Sequence, residues 1–286
     1  MSTRRSGAPR NRLTYGTEAF EQVSQFARGF GEGAGRTRDA LAFLAQNPGQ
    51  GGRTIVSILR LPSVDIQLSE SEQGRSLRSH LVATDSRVPT GRFAQAVLAT
   101  DLSDDLYLSG RRKQALRTNL RRCRDAGITC RDVRQVGELA ALRHELLTLG
   151  DPAEWYTDWD GLWRPVFVAR RADGELLAIA NVTVDGRWAW LGQFRTVSER
   201  AGAGIARYAL HVHMYRWLRA AGVQWLWAGN ALNLWPGLQY FQYLLGFEIY
   251  NLAPAKRRLR VQKGVSGVIR AISTLRSEPS VTRRAS

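Results

Sequence analysis

The sequence predicts an α/β fold in which a mixed β-sheet is flanked by helices. Two Asp-Gly pairs, Asp173-Gly174 and Asp185-Gly186, separate three apolar runs, a pattern typical of antiparallel strands joined by tight hairpins. A glycine-containing turn follows the third run and leads into a helical pattern of apolar residues. Strand and helix patterns then alternate once more. We therefore expect a three-stranded meander that continues into a β-turn-α-β unit.

Hydrophobic periodicity predicts the limits of the individual elements. Strands are expected at residues 128–133, 166–171, 176–184, 188–194, 223–228 and 247–252. Helices are expected at residues 109–126, 137–149, 205–221 and 236–245. Gly127, Gly222 and Gly246 stand directly after three of these helices, at a position where the left-handed conformation favours glycine.

The chain ahead of these elements has a different character. Residues 17–30 carry a helical apolar stripe, and a second short helical pattern at 37–45 is ended by Asn47-Pro48-Gly49. Short apolar runs then predict strands at residues 54–61, 64–69, 80–84 and 93–100. We expect four segments: a basic arm with short helices (1–52), a small β-rich segment (53–108), the main α/β domain (109–262) and a basic, disordered tail (263–286).

The net charge of +16 is concentrated in three places. Residues 1–12 carry +4, residues 256–286 carry +8 and residues 111–124 carry +7, so the remainder is slightly acidic. A protein that binds nucleic acid over its whole surface would distribute its basic residues differently. The basic helix at 111–124 is interpreted as a solvated face, a contact for ligand phosphates, or a contact for an anionic membrane. Its candidate contact residues are Arg117, Arg121 and Arg124.

Other patterns exclude several classes of protein. No apolar run approaches the roughly 18–20 residues of a membrane helix, and no apolar segment follows the basic N-terminus as in a secretory signal. Cys123 and Cys130 form no disulfide framework and lack zinc-site spacing. His211 and His213 lie two apart in a predicted helix, so their side chains point to nearly opposite sides. We expect a cytoplasmic protein without a bound metal.

The turn at residues 201–206 is the most informative stretch chemically. A helix start presents unpaired backbone N–H groups and a partial positive charge, and glycine lets a phosphate approach them closely. The turn therefore suits a pyrophosphate group. The alternative is an ordinary strand-to-helix connection whose glycines supply only the turn geometry.

The order of these elements over residues 128–260 resembles the GNAT family of N-acyltransferases. The acyl-CoA loop of that family reads Gln/Arg-x-x-Gly-x-Gly/Ala, and Gly204, Ile205 and Ala206 match its last three places. Ala201 stands where the family has Gln or Arg. The resemblance implies that the main domain is an acyltransferase that uses acetyl-CoA as acyl donor. It implies donor contacts from Gln193, Phe194, Arg200, Gly202, Ala203, Gly204, Ile205, Ala206 and Arg207.

The resemblance also implies catalytic candidates. The family's last helix ends aromatic-Tyr-x-x-x-Gly-Phe, a pattern that Phe241, Gly246 and Phe247 match, whereas Gln242 stands at the tyrosine place. Family chemistry lets backbone N–H groups of the strand at Gln193 and Phe194 polarise the thioester carbonyl. The strand carries no acid, so Asp158, Asp160 or a water relay is the candidate base. The catalytic candidates are Asn230, Tyr240 and Tyr243, with Asn230 open to a plain turn role.

A second, narrower resemblance concerns the donor. The segment 110–122 and the later Pro236-Gly237-Leu238 are similar to parts of Fem-type aminoacyltransferases and lysyl-phosphatidylglycerol synthases. Many members of that branch take the acyl group from aminoacyl-tRNA. The aromatic cluster before the meander, Trp155, Tyr156, Trp159 and Trp163, borders the acceptor site in the GNAT layout or forms a packed lid.

The sequence thus predicts an N-acyltransferase that moves an acyl group, with acetyl as the leading choice, from acyl-CoA to an amine. Two alternatives stay open. One is aminoacyl transfer from charged tRNA to a cell-envelope acceptor, with tRNA or an anionic surface held by the basic helix. The other is a catalytically degenerate GNAT fold that binds polyanions.

Overall fold

The computed structural model describes residues 13–15, 17–33, 45–81, 92–153, 155–156, 164–197, 202–232 and 234–254, with the backbone alone for residues 26–33. Several predictions lie outside the described residues: the arm at 1–12, most of the helix at 37–45, the tail at 263–286, and the side chains of Asp158, Trp159, Asp160, Trp163, Arg200 and Ala201.

An eight-stranded mixed sheet forms the centre of the described fold. In chain order its strands are β1 (Ser63–Ile66), β2 (Gln95–Ala99), β3 (Thr129–Val133), β4 (Val166–Arg170), β5 (Leu176–Asp185), β6 (Trp188–Thr196), β7 (Trp225–Asn230) and β8 (Glu248–Pro254). Their spatial order is β1-β8-β2-β7-β6-β5-β4-β3. The pairs β1/β8 and β6/β7 are parallel, and the other neighbours are antiparallel.

Helices cover this sheet. They are α1 (Glu18–Gly33), α2 (Pro48–Leu59), α3 (Glu72–Leu81), α4 (Asp104–Tyr107), α5 (Gln114–Asp125), α6 (Val136–Thr148), α7 (Ala203–Ala220) and α8 (Pro236–Leu245), with a 3₁₀ turn at Arg111–Lys113 before α5. The predicted α/β class is confirmed, as are the meander β4-β5-β6 and the crossover through α7 to the parallel strand β7. No helix among the described residues has both the length and the apolar composition to cross a bilayer.

Alternate residues of the central strands face two different layers. On β4, Phe167 and Ala169 pack with α5, α7 and α8, whereas Val166 and Val168 pack with α6. On β6, Trp188 joins a third cluster with Leu77 of α3, on the side away from α7. We name the two sides of the sheet the α7 face and the α6 face. The register of β6 with β5 shifts at Gly192. Beyond this shift, successive residues of β6 again lie alternately on the α7 face and the α6 face.

The prediction of a β-rich segment at 53–108 is wrong in its first part. Residues 54–61 were expected as a strand, but most of them belong to α2, where Thr54 is buried while Ile55 and Val56 are exposed. Pro48 stands at the start of this helix, where its missing N–H removes no intrahelical hydrogen bond. The expected strand at 80–84 begins inside α3, and its residues 82–84 are outside the described ranges.

The two strands that this segment does contain complete the sheet. β2 lies between β8 and β7 and pairs antiparallel with both, and β1 forms one edge beside β8. Six strands from the later part of the chain and two from the earlier part therefore share one sheet. The segment boundaries inferred from the sequence stay predictions.

Candidate functional site

The parallel strands β6 and β7 separate halfway along β6. They pair only at Trp188–Trp225, Ala189–Leu226 and Trp190–Trp227, although β6 continues to Thr196. Within the part of the chain that the structure describes, the second half of β6 therefore has no strand partner on the β7 side. Crevices at the carboxyl ends of parallel strands are the usual ligand sites of α/β sheets.

A bulge in β6 sits at the start of this open edge. The register with β5 shifts between Asn181 and Val182, so Gly192 is an extra residue. The Oδ1 atom of Asn181 accepts a hydrogen bond of 2.9 Å from the N–H of Gln193. A Cβ atom on Gly192 would lie 2.3 Å from that Oδ1 atom, so the bulge requires glycine.

The bulge gives different roles to the backbone N–H groups of Gln193 and Phe194, the two groups that the sequence predicts to bind a carbonyl. The N–H of Gln193 is already used by Asn181. Successive N–H groups of a strand point to opposite edges, which directs the N–H of Phe194 toward the open side. Of the two backbone N–H groups that the sequence assigns to a thioester carbonyl, that of Gln193 is thus occupied by Asn181, and that of Phe194 is directed to the open side of β6.

The start of α7 lies at the carboxyl end of β6. A Cβ atom on Gly202 would contact Leu177 at 4.0 Å, and the Leu177 carbonyl accepts a hydrogen bond of 2.9 Å from Val197, directly after β6. Gly202 adopts a φ of 101°, a left-handed conformation that favours glycine. The first helical bond joins the N–H of Ala206 to the carbonyl of Gly202 at 2.8 Å.

The first turn of α7 offers unpaired donors. The N–H groups of residues 203–205 precede the first helical bond, and no side-chain cap engages the helix start within the described part of the chain. Gly204 is exposed, and a Cβ atom placed on it would meet no atom within 4 Å. Among the described residues there is therefore free space around Gly204, and phosphate binding at this turn stays a prediction.

Aromatic rings form the floor between the open edge and α8. Phe194 stacks on Phe241 with centroids 5.7 Å apart, and Tyr208 of α7 meets Phe241 edge-on at 5.0 Å. The guanidinium of Arg207 lies 4.8 Å from the Phe241 ring. Burial raises the pKa of Tyr208, so this phenol stays protonated near neutral pH. Tyr208 is a site residue that no sequence motif indicates.

The predicted catalytic residues are not brought together at β6. The α8 ring that packs on Phe194 is that of Phe241, and not that of Tyr240 or Tyr243. Both tyrosines instead line openings on the outer side of α8. The amide of Asn230 donates to the Phe93 carbonyl at 3.2 Å and accepts from the Leu232 N–H at 2.9 Å, which favours its turn role.

Gln242, at the place where GNAT proteins have tyrosine, holds the N-terminal segment. Its Oε1 atom accepts a hydrogen bond of 2.6 Å from the hydroxyl of Tyr15, and both side chains are buried. Burial also raises the pKa of Tyr15, which keeps the phenol a donor. Gln242 therefore has a clear structural role.

On the α6 face, β6 carries a second polar group of residues. Arg195 forms an ion pair with Asp151 and a hydrogen bond of 2.6 Å with the Tyr156 hydroxyl, which also donates to Asp151. The Gln193 side chain donates to the Trp155 carbonyl at 3.1 Å. The first part of the predicted aromatic cluster therefore does border the open edge. The sequence analysis does not identify Arg195, although it lies two residues after Gln193 and therefore on the same face of β6.

Arg112 and Lys113, the two basic residues directly before α5, have a structural role. Arg112 donates to the carbonyls of Tyr243 at 2.7 Å and Phe247 at 3.1 Å, and the Lys113 ammonium donates to Leu245 at 2.5 Å. These carbonyls belong to the end of α8 and the residues after it, where a helix carries partial negative charge. Burial lowers the pKa of Lys113 to about 7.

The remaining arginines of this region are exposed. Arg117 donates to the Leu108 and Gly110 carbonyls, whereas Arg121 and Arg124 form no ion pair with a described residue. Arg111 and Arg122 line a groove of about 530 Å³ between α5 and α8, together with Tyr240 and Tyr243. The sequence thus predicts a basic surface correctly but does not single out Arg111 and Arg122, which line this groove together with Arg112.

A buried polar chain lies behind the aromatic floor. The Tyr107 hydroxyl donates to the Leu245 carbonyl at 2.8 Å, so it accepts from His211 Nε2 at 2.9 Å. His211 therefore carries a proton on Nε2, and its Nδ1 atom has no hydrogen-bond partner among the described residues. Burial lowers its pKa to about 3. Within the described ranges, no three His, Cys, Asp or Glu side chains gather as a metal site would require.

No family model and no curated protein matches the sequence. Similar solved structures include the C-terminal DUF2156 domain of a candidate lysylphosphatidylglycerol synthetase from Agrobacterium fabrum (18% identity, TM-score 0.41, 64% of each chain). L-PGS from Bacillus licheniformis is similar at 17% identity and a TM-score of 0.41, over 65% of each chain. A tandem GNAT protein from the clavulanic acid biosynthesis pathway is similar at 16% identity and a TM-score of 0.35, over 76% of this chain and 69% of that one.

The matched region spans less than two thirds of the first two structures' own chains. Both classes of protein that the sequence resembles, a lysylphosphatidylglycerol synthetase domain and a GNAT protein, are among these structures.

Proposed function

We propose that the protein is an acyltransferase that moves an acyl group from an acyl-CoA thioester to an amine. The observation that carries this proposal is the separation of β6 from β7 after Trp190, next to the open start of α7. The open edge of β6 offers a hydrogen-bonding strand, and the start of α7 offers phosphate donors. The two features lie side by side because α7 begins at the carboxyl end of β6.

Donor binding would use the first turn of α7. The N–H groups of residues 203–205 point at the pyrophosphate, and the exposed Gly204 lets it approach. Arg207 in the next turn adds positive charge, and its buried Nε atom has no hydrogen-bond partner among the described residues. The acyl thioester then lies along β6, where the N–H of Phe194 donates to its carbonyl oxygen.

The chemistry is amine attack on the thioester carbonyl. The amine nitrogen forms a bond to the carbonyl carbon, and the oxygen gains negative charge that the Phe194 N–H stabilises. The C–S bond then breaks, the leaving thiolate takes up a proton, and the proton that the amine nitrogen loses passes through solvent water to restore the proton donor. We assign Tyr208 as the proton source for the thiolate because it packs on Phe241 in the floor of the opening. The acceptor approaches from the α6 face, beside Trp155 and Arg195.

A thiol-release assay tests this function. Purified protein is supplied with acetyl-CoA, longer acyl-CoA thioesters and a panel of primary amines, and free CoA thiol is measured. The proposal expects amine-dependent release with at least one thioester and stabilisation against heat by CoA. Absence of both responses with every thioester, although the protein is folded, would overturn it.

The groove between α5 and α8 favours a second candidate, aminoacyl transfer from charged tRNA. Arg111 and Arg122 make no ion pair with a described residue, and the exposed Tyr240 offers a ring face beside them. Phosphate neutralisation by arginine and base stacking on aromatic rings are the usual elements of single-stranded RNA binding. In this candidate the acyl ester at the tRNA 3′ end replaces the thioester.

Two arginine variants separate the candidates. Arg111 and Arg122 changed together to Gln should weaken tRNA binding and flatten its salt dependence if the groove holds RNA. Arg117, Arg121 and Arg124 changed together to Gln test the surface that the sequence indicates. Unchanged tRNA affinity and salt slope in both variants would exclude RNA binding by this helix. Tight polyanion binding without any acyl transfer would identify a non-catalytic protein instead.

A further inference from the structure

A cavity of about 470 Å³ opens between α1 and α8, on the outer side of α8. Its volume falls within the roughly 300–1,000 Å³ range of small-molecule sites. The proposed acyl transfer uses none of this space, because the α8 residue that packs on β6 is Phe241. The lining residues are Tyr15, Phe20, Glu21, Gln25, Pro236, Gln239, Tyr240 and Tyr243.

Aromatic rings make up half of this lining. Tyr15 and Phe20 are buried and meet edge-on at 5.0 Å, which fixes one wall. Tyr240 and Tyr243 stack with centroids 6.4 Å apart on the opposite helix and form the other wall. Ring faces attract cations within about 6 Å of their centroids, most strongly where water is excluded.

Among the described residues that line the cavity, Glu21 is the one with a formal charge. No described residue forms an ion pair or a side-chain hydrogen bond with its carboxylate. The protein as a whole carries a net charge of +16, so an acid left without a basic partner beside aromatic rings is an unusual combination here. The carboxylate of Glu21 makes this cavity negative, whereas Arg111 and Arg122 make the groove between α5 and α8 positive.

Gln239 adds a fixed acceptor to this lining. Its Nε2 atom donates to the Ser24 hydroxyl at 2.6 Å and to the Ala231 carbonyl at 3.1 Å, which sets the orientation of the buried amide. The Oε1 atom of the same amide receives no hydrogen bond from a described residue. The cavity therefore offers a carboxylate and an amide oxygen as acceptors between two aromatic walls.

We propose that this cavity binds a primary ammonium group carried on a short alkyl or arylalkyl chain. The chain packs between the Tyr15–Phe20 wall and the Tyr240–Tyr243 wall, and the ammonium N–H groups donate to Glu21 and to Gln239 Oε1. Binding of the ammonium ion in this cavity requires no acyl donor. Its test is therefore a binding measurement on the full chain without any donor.

Calorimetric titration with butylammonium and benzylammonium, against the neutral butanol and benzyl alcohol, measures the proposed binding. The ammonium ions should bind and the alcohols should bind at least about tenfold more weakly. Tetramethylammonium, which has no N–H donor, should bind more weakly than the primary ions. Equal affinity of the alcohols and the ammonium ions, or no binding of either, would overturn the proposal.

A matched pair of acid variants locates the site. Glu21→Gln should weaken benzylammonium binding about two- to fivefold, because it removes one ion pair at an accessible position. Glu18→Gln, one turn earlier on α1 and outside the cavity, should leave the affinity unchanged. Equal losses in the two variants would show attraction by net charge alone and overturn the assignment. Tyr240→Ala at an exposed ring keeps the test valid if Glu21→Gln disturbs α1, and it should weaken binding as well.

Discussion

The hydrogen bond between Tyr15 and Gln242 should couple the N-terminal segment to α8. Gln242→Met keeps the length of the side chain and removes the acceptor, so the buried Tyr15 hydroxyl loses its partner. Leaving a buried donor unsatisfied costs about 1–3 kcal/mol. Tyr15→Phe leaves the Gln242 oxygen without its donor and should cost a similar amount.

The double variant decides whether the bond itself is responsible. When both partners become apolar, no polar atom is left unsatisfied, so the double variant should be more stable than the sum of the single losses predicts. We expect a coupling energy of about 1–3 kcal/mol, measured from urea unfolding midpoints at an unchanged denaturant slope. Losses that add within about 0.5 kcal/mol would refute the reasoning.

The same variants test the catalytic interpretation of Gln242. Because its oxygen is occupied by Tyr15, Gln242→Met should retain acyl transfer within about tenfold of the parent, or ~1.4 kcal/mol in barrier height. A larger loss of acyl-transfer activity in a variant that is fully folded under the assay conditions would show a direct catalytic role for this side chain. Thiol release under saturating donor is the appropriate assay.

Two further predictions follow from buried groups. His211, whose pKa burial lowers from 6.5 to about 3, stays neutral in the native state while the unfolded chain takes up its proton, so stability should fall by about 1.4 kcal/mol per pH unit as the pH drops below 6.5. His211→Gln should reduce this loss of stability at low pH, measured by urea unfolding at a series of pH values. An unchanged pH dependence in His211→Gln would contradict the assignment. Gly192→Ala should destabilise the protein by about 1–3 kcal/mol, because the new Cβ atom lies 2.3 Å from the Asn181 oxygen that receives the Gln193 N–H. A neutral effect on the unfolding midpoint would show that Asn181 can move without loss.

Local sequence signals predict most of the later fold because the responsible interactions are local. The Asp-Gly turns place the hairpins β4-β5 and β5-β6, and glycine at the end of α8 adopts the left-handed φ of 93° that a helix end favours. The run at 54–61 shows the limit of such signals. Its β-branched residues favour a strand, but burial of Gly51 and Thr54 places the segment in a helix, so tertiary packing decides.

The site is predicted only where its residues are neighbours in sequence. The turn at α7 is a local motif, and Gly204 within it is exposed, whereas phosphate binding there stays a prediction. The bulge partner Asn181 and the Tyr15–Gln242 bond join residues that lie far apart in the chain, so no spacing indicates them. The same holds for Tyr208, which reaches the floor of the opening only through its contact with Phe241.

Acetyl-CoA affinity of two matched glycine variants tests the central claim most directly. Gly204 and Gly137 are both the second residue of a helix, and a Cβ atom at either would meet nothing within 4 Å. Gly204→Val should weaken acetyl-CoA binding at least about tenfold by blocking phosphate approach, while Gly137→Val should bind as the parent does. Acetyl-CoA binding that is equal in the parent and both variants would contradict a donor site at the start of α7.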